Sequence, residues 1–292
     1  MVIDPSIFDK KVKIDSIDFE IDNGENCTID ILRLDQIHPN ISGNKWFKLK
    51  YNLQLAAEQG CKQIISFGGA YSNHLHALAY AGKLANLPTI GIVRGEEVIN
   101  PTLTDCKTWG MDLQFISRAE YKTKTDSKFL QALATRHPRA YIIPEGGDNE
   151  LGKKGCTEIL SAEMISRYDI LCCSIGTGTT IKGLSETFKH SVWGFAPFKN
   201  AHSLQQKIGE SFPNIKYIDD YHFGGFGKVK PALLDYISYF KSKYKIELDQ
   251  VYTAKLFYGL QSELSKLKNR ADKKILVIHT GGLQGNRSQK KP

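Results

Sequence analysis

Six short apolar, β-branched runs recur along the chain, each ending in small residues or glycine. They are QIISFGG (63–69), PTIGIVRG (88–95), AYIIPEGG (140–147), DILCCSIGTG (169–178), SVWGFAP (191–197) and KKILVIHTGG (273–282). Their length and composition predict buried strands. Amphipathic stretches stand between them: residues 72–86 place Leu75, Leu78, Ala79, Gly82 and Ala85 on one helical face, and residues 181–190 and 257–270 read the same way. Strands alternating with helices predict an α/β fold with parallel sheet. In such sheets ligands bind outside the carboxyl ends of the strands, where this chain concentrates its glycines and hydroxyls.

Composition narrows the function classes. The chain has 292 residues, enough for one large or two modest domains, and a formal net charge of +8. The densest basic run is the end of the sequence, residues 285–292, which reads as a solvated terminus. Without an arginine-rich or zinc motif, no nucleic-acid partner is expected. The six cysteines form no CxxC pair, so neither a metal site nor a disulfide framework is expected, and the thiols suggest a reducing compartment. The first residues lack the apolar core of a secretory signal, and no window of about 18 apolar residues occurs, so no membrane span is expected. A cytoplasmic protein is the default. Residues 117–128 are polar and read as a surface loop or helix start.

Four segments carry chemistry. In DILCCSIGTGTTIKGL a strand runs into Gly176-Thr177-Gly178-Thr179-Thr180 and then a helix. A glycine-rich turn exposes backbone N–H groups, and the helix start adds partial positive charge, so the pair suits a phosphate. It is neither a Walker loop nor GxGxxG. An ordinary strand–helix turn is the plainer alternative. In SFGGAYSNHLHALA, Ser72 or Asn73 caps a helix whose free N–H groups suit a carboxylate, and simple capping is the alternative. His74 and His76 are two apart and do not share a helix face. In SGNKWFKLKYNL, Ser42 or Asn44 is a plausible cap, and Lys45 and Lys48 share a face. A lysine at a helix start beside a second cation has a lowered pKa, as a Schiff-base lysine needs. Taken alone, solvated surface lysines are the commoner arrangement. Tyr252 precedes a helix and Thr280 ends a strand.

In their order, GNKWFKL, SNH, PEGGDNELGKKG, GTGTT, DQVYTAK and HTGG resemble the pyridoxal-phosphate enzymes of the 1-aminocyclopropane-1-carboxylate deaminase/D-cysteine desulfhydrase family, over roughly residues 32–282. The resemblance implies a tryptophan-synthase-β-like fold of two parallel-sheet α/β domains with the cofactor cleft between them. Residues 1–47 plus 162–292 would form the larger, cofactor-binding domain, and 48–161 the smaller inserted one. It implies pyridoxal 5'-phosphate as cofactor, no metal, a small amino-acid substrate and a homodimer. Lys45 would be the Schiff-base lysine. Gly176, Thr177, Gly178, Thr179 and Thr180 would cradle the phosphate with Lys48 as charged partner. Asn73 would bond the ring hydroxyl, and Thr280 would lie near the pyridine nitrogen. Ser72, with Asn73 and His74, would grip the substrate carboxylate, Ser72 would also be a catalytic residue, and Tyr252 would be the active-site tyrosine.

Departures bear on substrate. Ring-opening members resemble VYEGK and HLGG, so Thr253 and Thr280 stand here for a glutamate and a leucine. A carboxylate near the pyridine nitrogen strengthens the electron sink and a threonine does not. The pattern therefore points to D-cysteine desulfhydrase-like β-elimination, giving keto acid, ammonia and sulfide. A deaminase or racemase with another substrate, or a cofactor-binding protein without turnover, are the alternatives. Phe226 aligns where relatives commonly place a second tyrosine, and Tyr221 is a candidate substitute.

Overall fold

The computed structural model describes residues 3, 8, 12–199 and 201–288. The tail expected to fray, 285–292, falls outside them from residue 289 onwards, as does most of the start of the chain. The order of elements is β1 (Ile14–Glu20), β2 (Asn26–Leu32), α1 (Lys45–Glu58), β3 (Gln63–Gly69), α2 (Asn73–Ala85), β4 (Thr89–Arg94), α3 (Pro101–Thr108), β5 (Met111–Ile116), α4 (Arg118–Lys122), α5 (Ser127–Arg136) and β6 (Ala140–Ile143). There follow α6 (Glu150–Cys156), α7 (Ala162–Arg167), β7 (Ile170–Ser174), α8 (Thr179–Thr187), β8 (Ser191–Phe195), α9 (His202–Ser211), β9 (Ile215–Ile218), α10 (Pro231–Tyr244), α11 (Thr253–Ser265) and β10 (Ile275–Ile278).

All six predicted runs are strands, and they fall into two sheets. One has the order β1-β2-β10-β7-β8-β9 and the other β5-β4-β3-β6. Every pairing is parallel except β1 with β2, which form an antiparallel ribbon at one edge. The ribbon escaped the sequence reading because IDSIDFE alternates apolar with charged residues and leaves one face half-open, unlike the continuous apolar runs of the central strands. The 117–128 segment begins two helices, α4 and α5.

Period-two alternation sends neighbouring residues of each strand to opposite faces. Leu171 and Cys173 enter the core under α1 and α8, whereas Ile170 and Cys172 face α10 and α11. On the smaller sheet Ile64 and Val93 join the first core, while Ile65, Phe67, Ile90 and Ile92 pack with Tyr121 and Leu133 in a separate one. Sheets covered on both faces explain strands that read as nearly unbroken apolar runs. All six cysteines are free thiols.

One contact sets the start of α1 against the end of β10. Gly43 has φ +70, and a Cβ there would sit 1.9 Å from the carbonyl oxygen of Thr280. The Asn44 N–H donates to that same carbonyl at 3.4 Å. The SGNK turn and the HTGG turn are thereby pressed backbone to backbone, and the first turn of α1 is fixed beside the carboxyl end of β10. Gly43→Ala combines a forbidden overlap with a left-handed φ, so it is expected to destabilise the fold by about 2 kcal/mol or more. Chemical denaturation of the two proteins measures it directly, and an unchanged midpoint contradicts the contact.

Candidate active site

The carboxyl ends of β3, β7 and β10 and the starts of α1, α2, α8 and α11 enclose a cavity of about 1010 Å³. Lys45, Lys48, Ser72, Asn73, His74, Gly176, Thr177, Gly178, Thr180, Phe226, Tyr252 and Thr280 all line it. Of the residues singled out from sequence, Thr179 is fully buried outside the wall: its hydroxyl donates to Asp148 Oδ1 at 2.8 Å and meets Thr177 Oγ1 at 2.8 Å. What Thr179 can offer a ligand is its backbone N–H. A second concavity, of about 1050 Å³, lies beside the β1–β2 ribbon and contains none of these residues.

Lys45 and Lys48 both project into the cavity from the first turn of α1. Among the described residues neither forms an ion pair with a carboxylate. Lys45 keeps part of its surface open to the cavity, yet protein surrounds the ammonium. That desolvation, reinforced by the charge of Lys48 and opposed by Asp249, brings its pKa down to about 7. Burial lowers Lys48 too. The expected caps of α1 do other work. Asn44 accepts from Lys45 Nζ through Oδ1 and donates through Nδ2 to Thr180 Oγ1 at 2.7 Å, while Ser42 Oγ donates to the Asp35 carbonyl at 3.3 Å. Asn44 therefore ties the lysine to the glycine-threonine loop instead of capping the helix.

That loop opens α8, whose first N–H groups have no intrahelical acceptor. The Thr180 hydroxyl accepts from Asn44 and keeps its own proton to donate. Ser174 Oγ, at the end of β7 in the same wall, is buried without a hydrogen-bond partner. At the start of α2, Ser72 caps as predicted, its Oγ accepting from the Leu75 N–H at 3.2 Å. The first-turn N–H groups of Asn73 and His74 remain available to an anion. His74 is buried and its Nε2 meets Ser66 Oγ at 2.9 Å. Ser66 spends its proton on the Ile143 carbonyl at 2.8 Å, so the imidazole donates from Nε2. Burial, with both lysines nearby, pushes its pKa down to about 3, and it is neutral.

The far wall departs from expectation. Thr253 is fully buried and does not face the cavity. Its hydroxyl and N–H each lie 2.8 Å from Asp249 Oδ1, and Asp249 Oδ2 accepts from the N–H groups of Val251 and Tyr252 at 2.9 Å each. Asp249 itself lines the cavity, so a carboxylate is present there despite the threonine at 253. An aspartate three residues ahead of Tyr252, before a helix, is a capping pattern that sequence reasoning passed over. Burial and Asp249 raise the Tyr252 phenol, which stays protonated at neutral pH. Phe226 stands edge-on to Tyr252 with ring centroids 5.8 Å apart. Tyr221 does not substitute for it: its hydroxyl is engaged by Glu263 at 2.9 Å and Lys266 at 3.2 Å, away from the cavity. Asn44, Arg94, Glu145 and Ser174 also line the wall; each lies in one of the strand or motif stretches, but its residue type alone does not mark it as a cavity group.

The family described as "Pyridoxal-phosphate dependent enzyme" matches residues 24–281. The chain belongs to that family. It is 30% identical over 270 residues to the "Putative 1-aminocyclopropane-1-carboxylate deaminase" of Thermotoga maritima, covering 84% of this chain and 85% of the relative. It is 28% identical over 285 residues to the D-cysteine desulfhydrase of Salmonella choleraesuis, covering 86% of each. Among solved structures, an ACC deaminase homologue superposes with a TM-score of 0.80 at 26% identity, covering 96% of this chain and 92% of the other. The tryptophan-synthase-β-like α/β fold and the dependence on pyridoxal phosphate both follow from this membership.

The residues present fit that cofactor. Two desolvated ammonium groups lacking carboxylate partners, an unsatisfied serine hydroxyl and the open N-terminus of α8 make a donor set that calls for a multiply charged anion, as a phosphate is. Gly178 has φ +92, and a Cβ there would lie 3.2 Å from Lys182 Cε and 3.3 Å from Leu204 Cδ1, so the turn keeps its backbone bare.

The depressed pKa of Lys45 has a consequence for the ligand-free protein. The folded state sheds the Lys45 proton near pH 7, whereas the unfolded chain holds it to about pH 10.5. Between those values the unfolded state binds more protons, so this group's contribution to stability grows as pH rises. Thermal unfolding of ligand-free wild type and Lys45→Met at pH 7 and pH 9.5 is expected to show wild type gaining on the variant at the higher pH. Parallel curves contradict the desolvated lysine.

Proposed function

We propose that this chain is a pyridoxal-phosphate dependent lyase of small amino acids, with D-cysteine or a β-substituted analogue as substrate, yielding keto acid, ammonia and sulfide. The observation that carries it is Lys45, an amine with a pKa of about 7 in the same cavity as an anion cradle and a carboxylate-suited helix start. The names of the relatives support the substrate class, and Thr280 in the cavity wall supports elimination over ring opening.

In this reading Lys48, Thr177, Thr180 and the N–H groups of residues 176–180 hold the cofactor phosphate, and Lys45 Nζ is the point of covalent attachment. When bound, pyridoxal phosphate supplies the sink for negative charge at the substrate α-carbon. Lys45 Nζ, half-deprotonated near pH 7, is able to take and return that α-proton. Ser72 Oγ–H and the N–H groups of Asn73 and His74 grip the substrate carboxylate. Asp249 fixes the backbone under Tyr252, whose protonated hydroxyl is a donor for the departing group. Phe226 closes the wall without a hydroxyl of its own.

The division into residues 1–47 plus 162–292 and 48–161 is also proposed. β3 to β6 form one sheet inside the inserted span, and the other strands form the second sheet. A homodimer and a hydrolytic release of ammonia are proposed from the family resemblance, and a cytoplasmic location from the free thiols; no helix among the described residues is long and apolar enough to cross a membrane.

Adding pyridoxal phosphate to the purified protein is expected to give a yellow, protein-linked chromophore that Lys45→Ala abolishes. Lys48→Ala is expected to weaken cofactor binding about 10–100-fold, the worth of a charge-assisted hydrogen bond. D-Cysteine, L-cysteine, both serines and 1-aminocyclopropane-1-carboxylate are then assayed side by side. Sulfide and keto acid from D-cysteine are the expected result. A colourless wild type, or no sulfide from any thiol substrate, overturns the proposal. Turnover of another amino acid by Phe226→Tyr, but not by wild type, identifies the missing hydroxyl as the limit on substrate range.

A further inference from the structure

Two side-chain amides meet at the cavity wall, one lining it (Asn73) and one behind it (Gln284). Gln284 lies in the short helical turn Leu283–Ser288 after β10 and donates through Nε2 to Oδ1 of Asn73, the first residue of α2. A carboxamide has one acceptor end and one donor end, so capturing one fixes what the other presents. With its oxygen held, Asn73 keeps Nδ2 as a donor at the cavity wall, against Gly282. A Cβ at Gly282 would lie 2.7 Å from that nitrogen, and Gly282 has φ +93, so the position admits no side chain. Asn73 Nδ2 hydrogen-bonds to none of the described residues, and Asn73 is open to the cavity.

The turn carrying Gln284 is itself fixed. The Gly285 N–H donates to the Gly282 carbonyl at 3.2 Å, and Asn286 Nδ2 donates to the Leu248 carbonyl, next to Asp249, at 3.0 Å. Arg287 pairs with Asp105 on α3, which also meets His76 Nε2 at 2.9 Å. Gln284 thus reaches Asn73 from a segment held by the Leu248 carbonyl on one side and Asp105 on the other, and Gly285 and Asn286 of that segment also line the cavity.

We infer that Gln284 is a positioning residue for the cofactor: it holds the Asn73 amide nitrogen-outward, so the cavity offers an N–H, and not a carbonyl oxygen, to the ring oxygen of a bound pyridoxal-type ligand. This rests on the pyridoxal-phosphate reading above. A phenolic oxygen that carries negative charge is stabilised by a donor and repelled by a carbonyl, so the polarity of one amide bears on both affinity and the electronic state of the ring.

Reversing that polarity tests it. In Gln284→Glu an ionised carboxylate only accepts, so Asn73 turns its nitrogen towards residue 284 and its oxygen to the cavity. Cofactor affinity, measured by fluorescence titration, is expected to fall about tenfold or more, with a shifted absorption maximum of the bound chromophore. Gln284→Leu leaves the Asn73 amide free to choose its orientation and is expected to fall less. In an Asn73→Ala background the glutamate substitution is expected to cost almost nothing further. Circular dichroism of each variant separates loss of fold from loss of polarity. Equal losses for Gln284→Glu and Gln284→Leu in both backgrounds, or an unchanged spectrum and affinity in Gln284→Glu, overturn the inference while a yellow wild type leaves the family reading standing. A wild type that takes up no cofactor overturns both.

Discussion

Two ammonium groups on one turn of helix, buried beyond the reach of a carboxylate, are the constraint around which the rest of this molecule is arranged. Lys45 and Lys48 are three apart and face the same cavity. Burying unpaired charge is expensive, and burial lowers the pKa of both lysines, that of Lys45 to about 7. Asp249 offsets part of the shift at Lys45 without forming an ion pair. Other groups aim further donors at the same space: the first turn of α8, the Thr180 hydroxyl and the start of α2. A cluster so rich in donors calls for an anion, while Asp249 and Glu145 place carboxylates elsewhere in the same wall.

Holding those lysines in place takes backbone contacts from distant parts of the chain. The turn before α1 packs on the turn after β10 through Gly43 and Thr280, and Asn44 joins Lys45 to Thr180 at the start of α8. Three segments far apart in sequence meet at one helix start. The HTGG, GNK and GTGTT motifs are thus parts of a single joint, and a change in any one displaces the others.

The alternating strands and helices were legible because parallel strands covered on both faces leave continuous apolar runs ended by glycine. The β1–β2 ribbon was not, since a half-exposed edge carries a diluted pattern. At the site, the lysines, Ser72, Asn73 and the glycine-threonine loop were legible because each combines a helix start with an unusual residue. From sequence Asn44 reads as a cap, and local spacing cannot show that its partner is Thr180. Asp249 and Gln284 carry no signal of their own for a related reason: each acts through a bond to another residue's backbone or amide, so even Asp249, which opens the DQVYTAK stretch, shows its role only through those bonds. Thr253 errs the other way. Its neighbour Tyr252 faces the cavity, but the helical turn carries Thr253 inward, where it bonds Asp249.

The Thr253–Asp249 pairing reaches the cavity only through other residues. If Thr253 touched the ligand, its replacement of a glutamate would act directly on the ring. Buried as it is, it acts by fixing Asp249, and Asp249 in turn holds the backbone of Tyr252. The same helix, α11, also reaches the opposite aromatic: Lys255 Nζ donates to the carbonyls of His222 at 3.0 Å and Gly225 at 2.9 Å, in the loop that carries Phe226. Burial lowers the Lys255 pKa to about 8, which leaves it mostly charged and bonded at neutral pH. The two rings that meet edge-on across the cavity are therefore positioned by the first turn of one helix. Exchanging one ring, or one residue of VYTAK, shifts a coupled pair, so the substrate preference of this wall belongs to the helix start as a unit.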